Sequence, residues 1–425
     1  MKPVIIALFT FLFLSIISCG DGDPVDPKGL DGTGYVAEYT EETIYLEDPN
    51  NTVIVAIDTA TQVYTMNASA FSKEPKAGEV ILVGGKMMRK VSSLEKKSGN
   101  YVIKTEDAAL TDVIKNGTIA WDITPEWSEV AAIKMDGENI VDLSNGRIHG
   151  PIEAEISRGG IDHKIRISPQ LENGKINSCE FKIQMVKKVG GSPTVVFTAE
   201  GKVKLPNQQT SISIKNQKLE TFKANNKGIS ADITLSMSAA GGKSGSHSFE
   251  LPGFALSIPI RFIPTPGGPV PLPIPVSIDI GIQFVSQLTI PDIKSSATAS
   301  SKIALSADAG FEYQGTTVST SGSIGDDKIT DGTFDSASNI GFPIDIQFGV
   351  AFPRVGLNIA GQELAYVHTG FTTGSSLNWG PLCKSGYVKM VVEGGYELKV
   401  LGQTISEKKK IFAEKKKEAK SENCQ

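Results

Sequence analysis

Residues 254–284, FALSIPIRFIPTPGGPVPLPIPVSIDIGIQF, decide the fold of this chain. Apolar side chains alternate over Phe254, Leu256, Ile258, Ile260 and Phe262, and again over Val276, Ile278, Ile280, Ile282 and Phe284. Alternation with period two predicts strands that have one buried face. The two runs therefore predict a long hairpin whose apolar face lies in a core.

The segment that joins these two strands is rich in proline. Eight of the 22 prolines lie between Pro252 and Pro275, and Arg261 is the one charged residue from Leu251 to Ile278. Proline cannot donate to a strand ladder, so residues 263–275 are predicted to form a sheet edge or a polyproline-like loop. Because exposed apolar patches usually mark contacts, the segment is also a candidate contact loop, formed by Pro264, Pro266, Val270, Leu272 and Ile274.

Alternation continues on both sides of this hairpin. Short strands are predicted at Thr52–Ala56, Gln62–Met66 and Tyr101–Thr105, and further alternating runs fill most of residues 126–245. Short strands at regular spacing indicate an antiparallel sandwich or barrel with one wet and one dry face. Asp107–Lys115 is the one predicted helix. The fold class is therefore all-β, a multi-domain antiparallel sandwich or extended sheet with little helix.

We expect four parts after a leader at residues 1–18. They are a flexible acidic tether at 19–34, a small β-rich domain at 35–125, and a large β-sheet domain at 126–425, which is either undivided or split near 245 into two subdomains, the fourth part in the second case. Several turns are predicted within the large domain. Pro353-Arg354 should end one strand, and Glu393-Gly394-Gly395 should be a short hairpin loop. Ser406–Lys420 is predicted as a charged edge strand or a solvated helix.

The N-terminus predicts export. Lys2 precedes an apolar run from Val4 to Ile17, which is too short to span a membrane and is followed by a polar segment. Ile16-Ile17-Ser18-Cys19 resembles the lipobox of bacterial lipoproteins, which implies that Cys19 is acylated and becomes the first residue. The acidic residues after it resemble the export signal of Bacteroidota surface lipoproteins. This resemblance implies an outer-membrane protein displayed on the cell surface.

The composition excludes several classes of function. The net charge of −5 gives no basic field for nucleic acid. Four histidines show no metal-binding or catalytic spacing, and four aspartates between Asp326 and Asp335 favour a turn over a calcium site. We therefore predict no catalytic residue, no metal and no cofactor. Cys383 and Cys424 are a candidate disulfide. With Cys19 acylated three cysteines remain, and this odd number leaves at least one free thiol or an intermolecular bridge.

Three functions remain open. The first is an envelope protein, anchored by lipid on Cys19, that binds a protein, glycan or lipid partner or a polymer without catalysis. The second is a lipid-binding or membrane-perturbing protein that uses the amphipathic strands of residues 250–323. The third is a polysaccharide-binding or polysaccharide-processing lipoprotein that uses exposed tryptophans at Trp121, Trp127 or Trp379.

Overall fold

The structure is a computed structural model. It describes residues 32–135, 138–142, 151–158, 161–172, 175–188, 194–240, 245–250, 254–290, 296–325, 328–330, 344–378 and 383–420. The predicted leader, with Cys19, lies outside these residues.

Strands dominate the described residues. In chain order they are β1 (Gly34–Tyr39), β2 (Thr43–Leu46), β3 (Ile54–Asp58), β4 (Val63–Asn67), β5 (Val80–Val83), β6 (Met87–Lys97), β7 (Asn100–Asp107), β8 (Ile114–Ile123), β9 (Ala132–Met135), β10 (Glu138–Asp142), β11 (Ile152–Arg158), β12 (Ile161–Glu172), β13 (Lys175–Lys188), β14 (Thr194–Lys204), β15 (Asn207–Lys215), β16 (Lys218–Ala240), β17 (Gly245–Glu250), β18 (Phe254–Ile263), β19 (Val270–Ile290), β20 (Ser296–Gln314), β21 (Thr317–Ile324), β22 (Lys328–Thr330), β23 (Ile344–Ile359), β24 (Gln362–Asn378), β25 (Cys383–Glu397) and β26 (Ser406–Lys420). The predicted helix is present as a single turn, α1 (Leu110–Val113). The all-β prediction is confirmed.

The strands form three sheets. An 11-stranded sheet has the order β1-β8-β15-β16-β14-β13-β12-β11, with β20 beside β16, and β21 and β22 beside β20. A nine-stranded sheet has the order β10-β9-β18-β19-β23-β24-β25-β26, with β17 beside β19. A small sheet has the order β2-β5-β6-β7-β4-β3. The pairs are antiparallel except for β2 with β5.

The two large sheets face each other across one apolar core. Phe222 and Phe311 of the 11-stranded sheet belong to the same buried cluster as Ile278 and Phe371 of the nine-stranded sheet. The strands β16 and β19, of 23 and 21 residues, run through the two sheets as central strands. At about 3.3 Å per residue each is roughly 70 Å long, which makes the sandwich elongated.

The sheets do not divide the chain at residues 125 and 245. Only β2 to β7 form the small sheet, since β1 and β8 pair with each other and β8 pairs with β15. The small domain is therefore an insertion into the sandwich. Strands from both sides of residue 245 share both large sheets, because β9 joins the nine-stranded sheet and β20 pairs with β16.

Three local predictions were wrong. Phe262 is 56% exposed, because the register shifts after Ile260 and Ile263 takes the buried position. β23 runs through Pro353, where the register also shifts, so the proline lies at a bulge and not at a turn. β25 continues through Glu393-Gly394-Gly395, although its register with β26 shifts on both sides of Gly394. The tail forms the edge strand β26, as the first of its two alternatives predicted.

Candidate functional site

The outer side of the 11-stranded sheet carries a dense array of charges. On β12 and β13 most inward positions are apolar and buried, as at Ile165, Ile167, Phe181 and Ile183. The positions between them point outward and carry charge, because successive side chains of a strand alternate between the two faces. The apolar repeat that builds the core therefore also builds this charged surface.

The strand register lines up these outward side chains in rows. One row crosses β11, β12, β13, β14, β16 and β20, and consists of Glu153, Arg166, Lys182, Glu200, Thr234 and Lys302. A parallel row consists of Ser168, Glu180, Lys202 and Asp232. We call these two rows, together with the neighbouring Glu155 and Lys164, the charged face.

Most charges of the charged face have a cross-strand partner of opposite sign. The nitrogen–oxygen distance is 2.9 Å for Lys182 and Glu200 and 3.1 Å for Lys164 and Glu155. It is 3.4 Å for Arg166 and Glu153. Exposed ion pairs of this kind contribute at most about 1 kcal/mol each. Their charges therefore remain available to a partner that offers better geometry.

Two depressions lie in the charged face. The first has a volume of about 470 Å³ and the second of about 460 Å³. Arg166 and Lys182 line both. The charged side chains of the first are Arg166, Glu180, Lys182, Glu200, Lys202, Asp232 and Lys302. The surface suits a charged ligand, because most of the side chains that line the two depressions are charged.

The predicted contact loop lies at the joint between the small sheet and the sandwich. Leu272 and Ile274 are 2% and 0% exposed, so they belong to the core. The backbone N–H of Gly85, in the small sheet, donates to the carbonyl of Pro273 at 2.7 Å. Pro264 and Pro266 are exposed and Val270 is half-buried. The segment therefore serves mainly to join the two parts, and only its tip reaches the surface.

Two of the three tryptophans that were predicted to be exposed and to bind sugar lie in the core. Trp121 and Trp127 are buried, and the indole N–H of Trp121 donates to Gln208. Neither ring is open to a sugar. Trp379 and the aspartates from Asp326 to Asp335 lie outside the described residues. The same holds for Cys424 and the side chain of Cys383, while Cys179 is a free, buried cysteine.

A buried polar network on the nine-stranded sheet was not predicted. His368 Nε2 donates to Glu393 Oε1 at 2.7 Å, and Lys409 Nζ reaches the same oxygen at 2.8 Å. Beside them Arg354 lies 4.0 Å from the ring centre of Tyr366. The three residues of the first group come from β24, β25 and β26, so no local motif could have revealed them.

Three further findings bear on function. Among the described residues no group of three or more His, Cys, Asp or Glu side chains is placed to hold a metal ion. No helix in that part of the chain is long and apolar enough to cross a membrane. Comparisons with known protein families, with curated proteins and with solved structures found no match.

Proposed function

We propose that the protein is a lipid-anchored protein of the bacterial cell envelope that binds a charged polymer on its charged face, without catalysis. The charged face with its two depressions is the observation that carries this proposal. It places positively and negatively charged side chains of six neighbouring strands around two depressions, whose volumes are about 470 Å³ and 460 Å³. A surface that presents many charges in rows suits a long partner with repeated charged groups.

The anchor rests on the N-terminal sequence. Acyl chains on Cys19 would contribute about 0.8 kcal/mol for each buried methylene group, which is enough for stable attachment when there is more than one chain. The charged face is compatible with such an anchor. Gly34 aligns through β8 and β15 with Lys223 on β16, and Asp232 lies further along the same strand. The first depression is therefore roughly 30 Å from the start of β1, when both the length along β16 and the three strand spacings are counted.

We prefer this function to the membrane-perturbing one because the apolar side chains that would have to contact lipid are buried in the core. The apolar side chains from Phe254 to Ile260 and from Val276 to Ile280 face the core, as do those of Ala307, Ala309 and Phe311. Strands that insert into lipid would have to turn these side chains outward and open the core. Binding at the charged face needs no such rearrangement.

Three dextrans with the same backbone test the binding function. Neutral dextran, anionic dextran sulfate and cationic diethylaminoethyl-dextran are titrated against the full chain in detergent micelles. We expect at least one charged dextran to bind and neutral dextran not to bind. Binding should weaken as the salt concentration rises from about 0.05 M to about 0.5 M, because salt screens exposed charges.

A variant with unchanged net charge provides the control for this test. Arg166→Gln, Lys182→Gln, Glu180→Gln and Glu200→Gln together remove two charges of each sign from the charged face. We expect this variant to lose most of the binding while its thermal unfolding stays close to that of the wild type. Equal binding by variant and wild type, or no binding of either charged dextran, would overturn the proposed function.

A further inference from the structure

Two cations face each other at the centre of the charged face. Arg166 on β12 is directly opposite Lys182 on β13 in the antiparallel register. Their side chains are 61% and 59% exposed. Like charges directly opposite each other on neighbouring strands are destabilising. The other directly opposite residues of this row either differ in the sign of their charge or include the neutral Thr234.

Neither of the two acids that flank the cations along this row lies between them. Glu153 lies on the far side of Arg166, and Glu200 lies on the far side of Lys182. Along the row the signs are therefore negative, positive, positive, negative. Arg166 and Lys182 line both depressions, so the two cations lie side by side where the depressions meet.

Arg166 and Lys182 have more N–H donors than their two ion pairs use. A guanidinium has five N–H donors in a planar fork, and an ammonium has three. The Arg166 pair uses Nε, at 3.4 Å from Glu153, and the Lys182 pair uses one Nζ contact. Directly opposite residues have their Cβ atoms about 5 Å apart, so both head groups reach a single oxyanion between them.

We infer that Arg166 and Lys182 together bind an anionic group of the polymer, of the sulfate, phosphate or carboxylate class. This inference rests on the proposed function and names the chemistry of its ligand. An oxyanion converts the repulsion between the two cations into a pair of charge-assisted hydrogen bonds. The hydroxyl groups of Ser168 and Thr234 line the same depression and are available to neutral polar groups of the polymer.

The test compares two double variants that change the net charge equally. Arg166→Gln with Lys182→Gln removes the cation pair, and Lys218→Gln with Lys223→Gln removes two exposed lysines of β16 outside the depressions. The full chain in detergent micelles is titrated with dextran sulfate. We expect the first variant to bind at least tenfold more weakly and the second to stay within about twofold of the wild type. Arg166→Lys with Lys182→Arg should retain most of the affinity.

The outcomes separate this inference from the function on which it rests. Equal losses in the two double variants would show attraction by overall charge and would overturn the inference. Binding of diethylaminoethyl-dextran without binding of dextran sulfate would also overturn it, but would leave the charged-polymer function standing. Failure of both charged dextrans to bind would overturn the two together.

Discussion

At the scale of single residues, the network around Glu393 is the clearest case of a buried charge with partners. Glu393 is 5% exposed and accepts from both His368 and Lys409. Burial would raise the pKa of its carboxyl group, but the hydrogen bonds from His368 and Lys409 outweigh burial and lower the pKa. A lowered pKa means that the folded state favours the charged carboxylate.

The sign of this shift predicts a dependence of stability on pH. A carboxyl group with a lowered pKa in the folded state stabilises the protein above its ordinary pKa of 4.5, and the contribution is lost as the pH falls through the folded value. Glu393→Gln should therefore cost about 1–3 kcal/mol at pH 7. The difference from the wild type should shrink below pH 4.5, as measured by urea unfolding.

The matched control for this prediction is Glu414→Gln. Glu414 pairs with Lys389 at 2.9 Å, but its side chain is 40% exposed. Its loss should therefore cost less than about 0.5 kcal/mol at either pH. An equal cost for the two variants, or a gap that does not change with pH, would contradict the role assigned to Glu393.

At the scale of strands and turns, Gly395 shows that a glycine pair does not always mark a turn. Glu393-Gly394-Gly395 has the composition of a hairpin loop, yet β25 continues through it. A Cβ atom on Gly395 would lie 2.5 Å from the carbonyl oxygen of Lys408 and 2.7 Å from Cε1 of Tyr366. The glycine is needed for close approach and not for a turn.

Gly395→Ala should therefore destabilise the protein by about 1–3 kcal/mol, because backbone or ring atoms must move to admit the methyl group. Gly281→Ala is the comparison, since its nearest atoms lie 3.4 Å from the added Cβ. That change should stay within about 0.5 kcal/mol of the wild type. Chemical denaturation measures both, and the reverse order of the two effects would refute the close-packing explanation.

The proline-rich segment gives a second prediction at this scale. Ile274 is fully buried at the joint with the small sheet, whereas Pro266 is exposed. Ile274→Ala should cost about 2–5 kcal/mol through lost burial and the cavity that remains. Pro266→Ala should change the free energy of unfolding by less than about 0.5 kcal/mol. Similar small effects at both positions would contradict the placement of the segment in the core.

The elements that the sequence predicted well are those with a local cause. Alternation from Phe254 to Ile260 and from Val276 to Ile280 follows directly from the burial of one face, and so it predicted the hairpin of β18 and β19. Bulges are different, because they depend on the partner strand. The exposure of Phe262 and the passage of β23 through Pro353 result from register shifts that no local pattern records.

At the scale of the whole molecule, the arrangement of the sheets depends on contacts that are distant along the chain. β1 pairs with β8 across the whole small sheet, so the small domain interrupts the sandwich and does not precede it. The charged face is equally non-local, since its central row collects side chains from β11 to β20. The sequence predicts that these side chains face water, but the register of β12 against β13 is what places Arg166 opposite Lys182.

The proposed anchor and the charged face are connected through the 11-stranded sheet. The N-terminal strand enters at one edge of the 11-stranded sheet, and the depressions lie further along that sheet. If residues 19–34 form a tether to lipid, as predicted, the charged face is held near the membrane surface and stays exposed to polymers of the envelope. The proposed location therefore depends on a lipid anchor at Cys19, whereas the proposed partner depends on the charged face.

Labelling with an alkyne analogue of palmitate, followed by cell fractionation, is the most direct test of the proposed lipid anchor at Cys19. The wild-type chain and the Cys19→Ala variant are expressed in a Bacteroidota host. We predict that the wild type takes up the label and sediments with the outer membrane, and that the variant takes up none. An unlabelled wild type, a labelled Cys19→Ala variant, or intact wild-type protein in the cytosol with its leader still attached would contradict the account.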